Sequence, residues 1–212
     1  LVNDLFQSIR ALKFCGSFDL GLLDVGLKPD QRAAFEQTGI KVVTAQVDID
    51  YPARINWESQ CPGIRTLTAT PYLRRYFLNY DLYIWLDADV WVQTPEAIDT
   101  MLIHAHSPAV FLAWELDRCY RAYFDNAEVW QKFGDWYQTS YPPQIAAAMT
   151  LKPMMNVGVF AMSATCPVWD AWGAIYTEAL QRTGDLNDKN FMAHQLALNI
   201  ALFVRGLPAS CD

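Results

Sequence analysis

Apolar and polar positions alternate in blocks along this chain, and the period of each block predicts its conformation. Leu1, Leu5, Ile9 and Leu12, with Val2 and Phe6 beside them, recur every three or four residues, which predicts an amphipathic helix over 1–12. Residues 18–25 form a short apolar run that reads as a strand, followed by a turn at 26–29. Asp30 opens a helix over 30–38 that Gly39 stops, and the Val-rich run 40–47 reads as a second strand. Helix, strand, helix, strand is the order of βαβ winding, so the pattern predicts an α/β fold with a mostly parallel central sheet flanked by helices. Residues 48–63, with Pro52, Asn56, Pro62 and Gly63, read as a loop, and 67–78 as a helix carrying Arg74 and Arg75.

The run from Leu82 to Leu86 is dense in aromatic and branched side chains, as expected of a strand covered on both faces. It ends abruptly in Asp87-Ala88-Asp89. A buried strand that stops in acid carries that acid to the carboxyl edge of the sheet, where open α/β folds bind ligands. In extended backbone, residues i and i+2 point the same way, so Asp87 and Asp89 are expected to converge, with Ala88 leaving room beside them. Two close carboxylates repel unless a divalent metal, a proton, or nearby Arg or Lys neutralises them. Carboxylate oxygens favour hard ions such as Mg²⁺ or Mn²⁺, which commonly take one or two protein carboxylates plus substrate phosphates. The same spacing also fits a solvated turn in which an Asp caps the next element.

Downstream, Thr94-Pro95-Glu96 opens a helix, and 109–114 is a strand running into Glu115 and Asp117. Residues 118–143 crowd in Tyr120, Tyr123, Phe124, Trp130, Phe133, Trp136, Tyr137 and Tyr141, which suit core packing or, in part, stacking on sugar rings. Residues 155–162 read as a strand interrupted by the polar Asn156 and by Gly158, where a glycine implies a close backbone approach. Helices follow at 167–180 and 191–203. On the last of these His194 and Gln195 break an apolar stripe, either as buried polar groups satisfied by neighbours or as groups facing a cleft.

Composition narrows the classes. With 212 residues and 52% apolar content, the chain is long enough for one sizeable core. A net charge of −7 argues against a nucleic-acid surface, because neutralising phosphates takes Lys and Arg. A negative protein that binds a negative ligand needs a mediating cation. Five widely spaced cysteines with no Cys-x-x-Cys pair read as reduced thiols in a cytoplasmic setting. No run of about 18 apolar residues predicts a membrane span. Gly-rich dinucleotide and P-loop fingerprints, a nucleophile elbow and His-Glu-x-x-His are all absent from the sequence. The histidines, His104, His106 and His194, are too scattered for a typical zinc site, and the first two read as a helix end.

Arg74 through Asp89, then Asn156-Val157-Gly158-Val159, then Gln195 with Leu198-Asn199, together resemble the metal-dependent glycosyltransferases of the GT-A fold, in particular the glycogenin and bacterial galactosyltransferase group. The resemblance runs in order over nearly the whole chain and implies a single Rossmann-like catalytic domain over 1–212. It implies that Asp87 and Asp89 bind Mn²⁺ or Mg²⁺, which holds the diphosphate of a nucleotide sugar, usually UDP-linked. Arg74, Ala88, Asn156, Val157 and Gly158 would line the donor, and the pair His194-Gln195 would lie near the reacting carbon. A glycan, lipid or protein hydroxyl would accept the sugar with retained configuration, in the cytoplasm or at the periphery of a membrane. His194 departs from the family pattern, which has Asp there. The family's first strand is expected before Leu1, and its C-terminal His metal ligand after Asp212. Two other readings compete: a sugar-phosphate nucleotidyltransferase, and a degenerate sugar-binding module without catalysis.

Overall fold

A computed structural model describes residues 1–12, 18–52, 63–105, 108–115, 125–184 and 191–210. Its elements in chain order are α1 (Val2–Ala11), β1 (Gly21–Asp24), α2 (Pro29–Gln37), β2 (Lys41–Thr44), α3 (Ile64–Ala69), a 3₁₀ turn (Thr70–Tyr72) and α4 (Leu73–Tyr76). There follow β3 (Leu82–Leu86), α5 (Pro95–Ala105), β4 (Val110–Trp114), α6 (Ala127–Ser140) and α7 (Pro143–Met149). The chain closes with β5 (Met155–Ser163), α8 (Val168–Thr183), α9 (Ala193–Phe203) and the short β6 (Ala209–Ser210).

Most periodic segments fold as their patterns predict, and the exceptions have identifiable causes. The helix expected over 67–78 is broken into α3, the 3₁₀ turn and α4. Pro71 has no N–H to donate, which removes a bond from the helical ladder; Thr70 before it keeps α backbone, and the departure from it falls at Tyr72, at φ −116° and ψ 21°. In α2 the start is set by Pro29 at the first helical position, and the Gln31 side chain accepts from the Lys28 N–H at 3.0 Å. Gly184 ends α8 in the left-handed region, at φ +70°, where a side chain would be strained. Asn126 caps α6 by accepting from the Glu128 N–H at 2.9 Å.

The strands form two sheets. In the smaller one, β1 and β2 pair in parallel around α2, which is the predicted winding. The larger sheet has the order β3-β5-β4-β6, and here the expectation of a mostly parallel centre is corrected: β5 runs antiparallel to both β3 and β4, while β4 and β6 are parallel. An unbroken apolar run says only that both faces of a strand are covered; it carries no information on the direction of the neighbours. Both faces are covered. Leu82, Ile84 and Leu86 pack with Leu5 and Ile9 of α1 and with Ile98 and Met101 of α5. Tyr83 and Trp85 point the other way, into the main core built on α8 and α9. That core is anchored by wholly buried Phe160, Trp169, Trp172 and Tyr176, with the Phe160 and Trp172 rings 5.5 Å apart edge to face.

A cavity of about 870 Å³ lies between the two sheets. Consecutive residues of β1 (Gly21, Leu22, Leu23) and of β3 (Ile84, Trp85, Leu86) border it. Successive strand side chains point to opposite faces, so a border of consecutive residues means the cavity meets each strand along its edge. Its wall reaches Asp87 and Ala88. Among the described residues, no helix is long and apolar enough to cross a membrane. Cys166 is a buried free thiol, and the other four cysteines lie outside the described residues, as do His106, Asp117, Tyr120, Tyr123 and Phe124.

Candidate functional site

Because β5 is antiparallel to both neighbours, β3 and β4 run the same way and end at one edge of the sheet, beside the start of β5. Asp87 follows β3, Glu115 follows β4, and Asn156 opens β5 between them. The register between β4 and β5 slips at this edge. Leu112 pairs with Phe160 but Ala113 pairs with Asn156, which leaves Val157, Gly158 and Val159 without a β4 partner. Bulges of this kind are common beside active sites, because they free backbone groups and re-aim side chains.

The N–H groups of both Val157 and Gly158 find side-chain acceptors. The Val157 N–H donates to Gln195 Oε1 at 3.4 Å, and the Gly158 N–H donates to Asn156 Oδ1 at 2.5 Å. The Gly158 carbonyl accepts from the Asp87 N–H at 2.8 Å on the β3 side. Asn199, wholly buried on α9, clamps the neighbouring Met155 by both its N–H (2.8 Å) and its carbonyl (3.0 Å), which fixes the height of α9 over the bulge. Glu115 completes the cluster: its Oε2 accepts from Asn156 Nδ2 at 2.8 Å and from Gln195 Nε2 at 3.0 Å.

Gly158 is there for space. A Cβ at that position would lie 2.7 Å from Asp87 Oδ2 and 2.9 Å from Asn156 Oδ1, closer than real Cβ contacts come. The predicted close approach is thus the packing of two polar side chains against one bare Cα. Trp85, stacked on Phe160, donates its indole N–H to Asp87 Oδ1 at 2.8 Å. The Asp87 carboxyl is pushed above the usual carboxylate range, first because the surrounding protein displaces its water and further by the charge of Asp89, with the Trp85 bond acting in the opposite sense.

Asp87-Ala88-Asp89 is a turn and not extended backbone, since the Val90 N–H returns to the Asp87 carbonyl at 3.0 Å. The expectation that the two acids converge by strand geometry is corrected in its reason; they remain close enough for one to perturb the other. Both are exposed, and among the described residues no Lys or Arg pairs with either. Nor do the described residues supply a group of three or more His, Cys, Asp or Glu side chains that could hold a metal.

Two sequence-predicted residues stand apart from this cluster. Arg74 donates to the Ala164 carbonyl at 3.0 Å and to Asp170 Oδ1 at 2.5 Å, with its guanidinium 5.6 Å from the Trp169 ring. Ala164 is bonded to Asp81, just before β3 begins. Arg74 therefore lies at the opposite end of a five-residue strand from Asp87, about 17 Å of chain away. His194 is turned toward α8, its ring 6.2 Å from that of Tyr176 and its Nδ1 3.3 Å from the Phe191 carbonyl. Loss of hydration lowers its pKa to about 4, so the imidazole is neutral at pH 7. Consecutive helix residues differ by about 100° in direction, which is how Gln195 reaches the bulge while His194 does not.

Sequence reasoning missed Trp85 and Glu115 as members of the site. The signal for Glu115 was present in the same form as for Asp87, an acid directly after a buried strand; what was lacking was the sheet order that puts β3 and β4 on either side of β5. Comparisons of the chain with protein-family models and with curated proteins gave no match.

Proposed function

We propose that this protein is a metal-dependent glycosyltransferase, moving a sugar from a nucleotide-sugar donor, UDP-linked by resemblance, to the hydroxyl of a glycan, lipid or protein acceptor with retained configuration. The observation that carries this reading is convergence: Asp87, the Asn156-Val157-Gly158 bulge and Gln195, far apart in sequence, meet at one sheet edge through direct hydrogen bonds and van der Waals contact.

The residues present fit a divalent cation. Asp87 and Asp89 are exposed, mutually repelling carboxylates without a basic partner among the described residues. Hard ions such as Mg²⁺ and Mn²⁺ readily accept one or two protein carboxylates and complete their shell with phosphate oxygens and water, so a third protein ligand is not required. When bound, such an ion acts as a Lewis acid on the diphosphate leaving group. The chain's own contribution is positional. Asp87 is oriented by Trp85 and by its backbone bond to Gly158, and Asn156 and Gln195 are oriented by Glu115. Amides fixed in advance orient a sugar without having to reorganise during reaction. His194 is packed against Tyr176, on the side of α9 that faces α8.

The test is nucleotide release from UDP-hexoses in the presence of Mn²⁺, with and without a chelator. Chelator-sensitive release of UDP supports the proposal; release of pyrophosphate from UTP and a sugar phosphate would favour nucleotidyl transfer instead. Release that persists unchanged in both Asp87→Ala and Asp89→Ala would sink it.

A further inference from the structure

The Glu115 carboxylate is held in an asymmetric way. Both amide donors, Asn156 Nδ2 and Gln195 Nε2, converge on the single oxygen Oε2. Its backbone N–H is engaged by the Met154 carbonyl at 2.9 Å, so the residue is fixed from the main chain as well. Oε1 has no partner among the described residues. A carboxylate offers about four lone-pair sites, and here two are used on one side. Anchoring from two elements, β5 and α9, removes the rotamer freedom that a surface Glu would keep, so the free oxygen is presented in a fixed direction at low further entropic cost. Glu115 as a residue is only partly buried. It belongs to the same hydrogen-bonded cluster as Asn156 and Gly158, and Gly158 abuts Asp87. A ligand lying over the bulge between Asp87 and Gln195 would meet a fixed carboxyl oxygen placed to accept a hydrogen bond from a hydroxyl.

We infer that Glu115 is the specificity residue for the transferred sugar, its Oε1 accepting a hydrogen bond from one hydroxyl of the donor hexose while Oε2 holds Asn156 and Gln195 in place. This rests on the glycosyltransferase reading and adds to it a sugar contact made from the end of β4. A purely structural tie between Asn156 and Gln195 would not distinguish one sugar hydroxyl from another. A site built to hydrogen-bond a hydroxyl does, because the analogue lacking it leaves the acceptor unpaired.

The experiment is a residue-by-hydroxyl cycle. Affinities of wild type and Glu115→Gln are measured by competition in Mn²⁺ for UDP, for the UDP-hexose that binds most tightly, and for its 2-, 3-, 4- and 6-deoxy analogues. Wild type is expected to lose about ten- to a hundred-fold on removal of one particular hydroxyl, as for a hydrogen bond to a charged group. Glu115→Gln is expected to lose a comparable factor on the full sugar, to lose little more on that deoxy analogue, and to bind UDP as wild type does. Glu115→Ala, with thermal unfolding recorded alongside, checks that the effect follows the carboxylate and not a local collapse. The inference is overturned if discrimination among the deoxy analogues survives in Glu115→Gln, or if UDP alone weakens as much as UDP-hexose. It falls together with the glycosyltransferase reading if wild type binds neither UDP nor any UDP-hexose, whereas binding that ignores Glu115 leaves that reading standing.

Discussion

The two ends of β3 carry similar chemistry arranged in opposite ways. At its amino end an acid and a base meet: Arg74 pairs with Asp170, lies near the Trp169 ring and bonds the Ala164 carbonyl. At its carboxyl end two acids meet, Asp87 and Asp89, and among the described residues no base answers them. The first end is complete within the protein. The second holds a carboxyl whose pKa is raised, chiefly because the protein displaces its water and to a smaller extent by the charge of Asp89, a local cost that something outside the chain can relieve. Charge type alone therefore separates nothing in this molecule; what separates the two ends is whether the charge is already neutralised by a partner among the described residues.

The most severe break in this contrast is to remove the imbalance. Asp87→Asn together with Asp89→Asn is expected to lower metal-dependent nucleotide release by about two orders of magnitude or more, the scale of losing Lewis-acid stabilisation of a leaving group. Thermal unfolding of that variant should not fall, since like-charge repulsion has been removed. Next comes the space beside Asp87. Gly158→Ala puts a Cβ 2.7 Å from Asp87 Oδ2. The carboxylate or the bulge must then move, and a stability loss of roughly 1–3 kcal/mol by urea unfolding is expected together with reduced release.

A third prediction concerns α9, where neighbours diverge as the ends of β3 do. His194 is neutral and packed, with its pKa lowered to about 4 from the usual 6.5. The native state resists protonation more than the unfolded chain does, so this contribution to stability is intact above about pH 6.5 and is lost as pH falls toward 4. Urea unfolding at pH 7 and pH 4.5 should show a larger acid-induced loss in wild type than in His194→Gln, by about 2–3 kcal/mol at most. An equal loss in both would mean His194 is hydrated. The smallest effect is at the completed end of β3. Asp170 is largely exposed, which limits the worth of its pair with Arg74, so Arg74→Met should cost about 1 kcal/mol or less and leave nucleotide affinity unchanged. A ten-fold loss of nucleotide affinity in Arg74→Met would return Arg74 to the donor site.

Much of this was legible in the pattern of residues, and what was not has physical reasons. The strand from Leu82 to Leu86 and the acids after it could be read because an apolar run and its abrupt end are local. The glycine in β5 announced a close approach, but only the sheet register shows that Asp87 and Asn156 are what come close. Strand direction was misread because burial on both faces does not encode it. Arg74 and His194 are expected near the donor from the resemblance, while the partners they make are long-range ones that local sequence does not show, Asp170 and Ala164 for one and Tyr176 for the other. Glu115 was visible as a strand-end acid, but nothing local tied it to amides 41 and 80 residues later.

The central claim is that Asp87 and Asp89 await an external cation delivered with a diphosphate. The most direct measurement is a titration of Mn²⁺ with protein in the presence of UDP, following free Mn²⁺ by its electron paramagnetic resonance signal. Wild type is predicted to remove Mn²⁺ from solution as one saturable site, and the variant carrying Asp87→Asn and Asp89→Asn to leave it free. Equal uptake by both proteins would contradict the account.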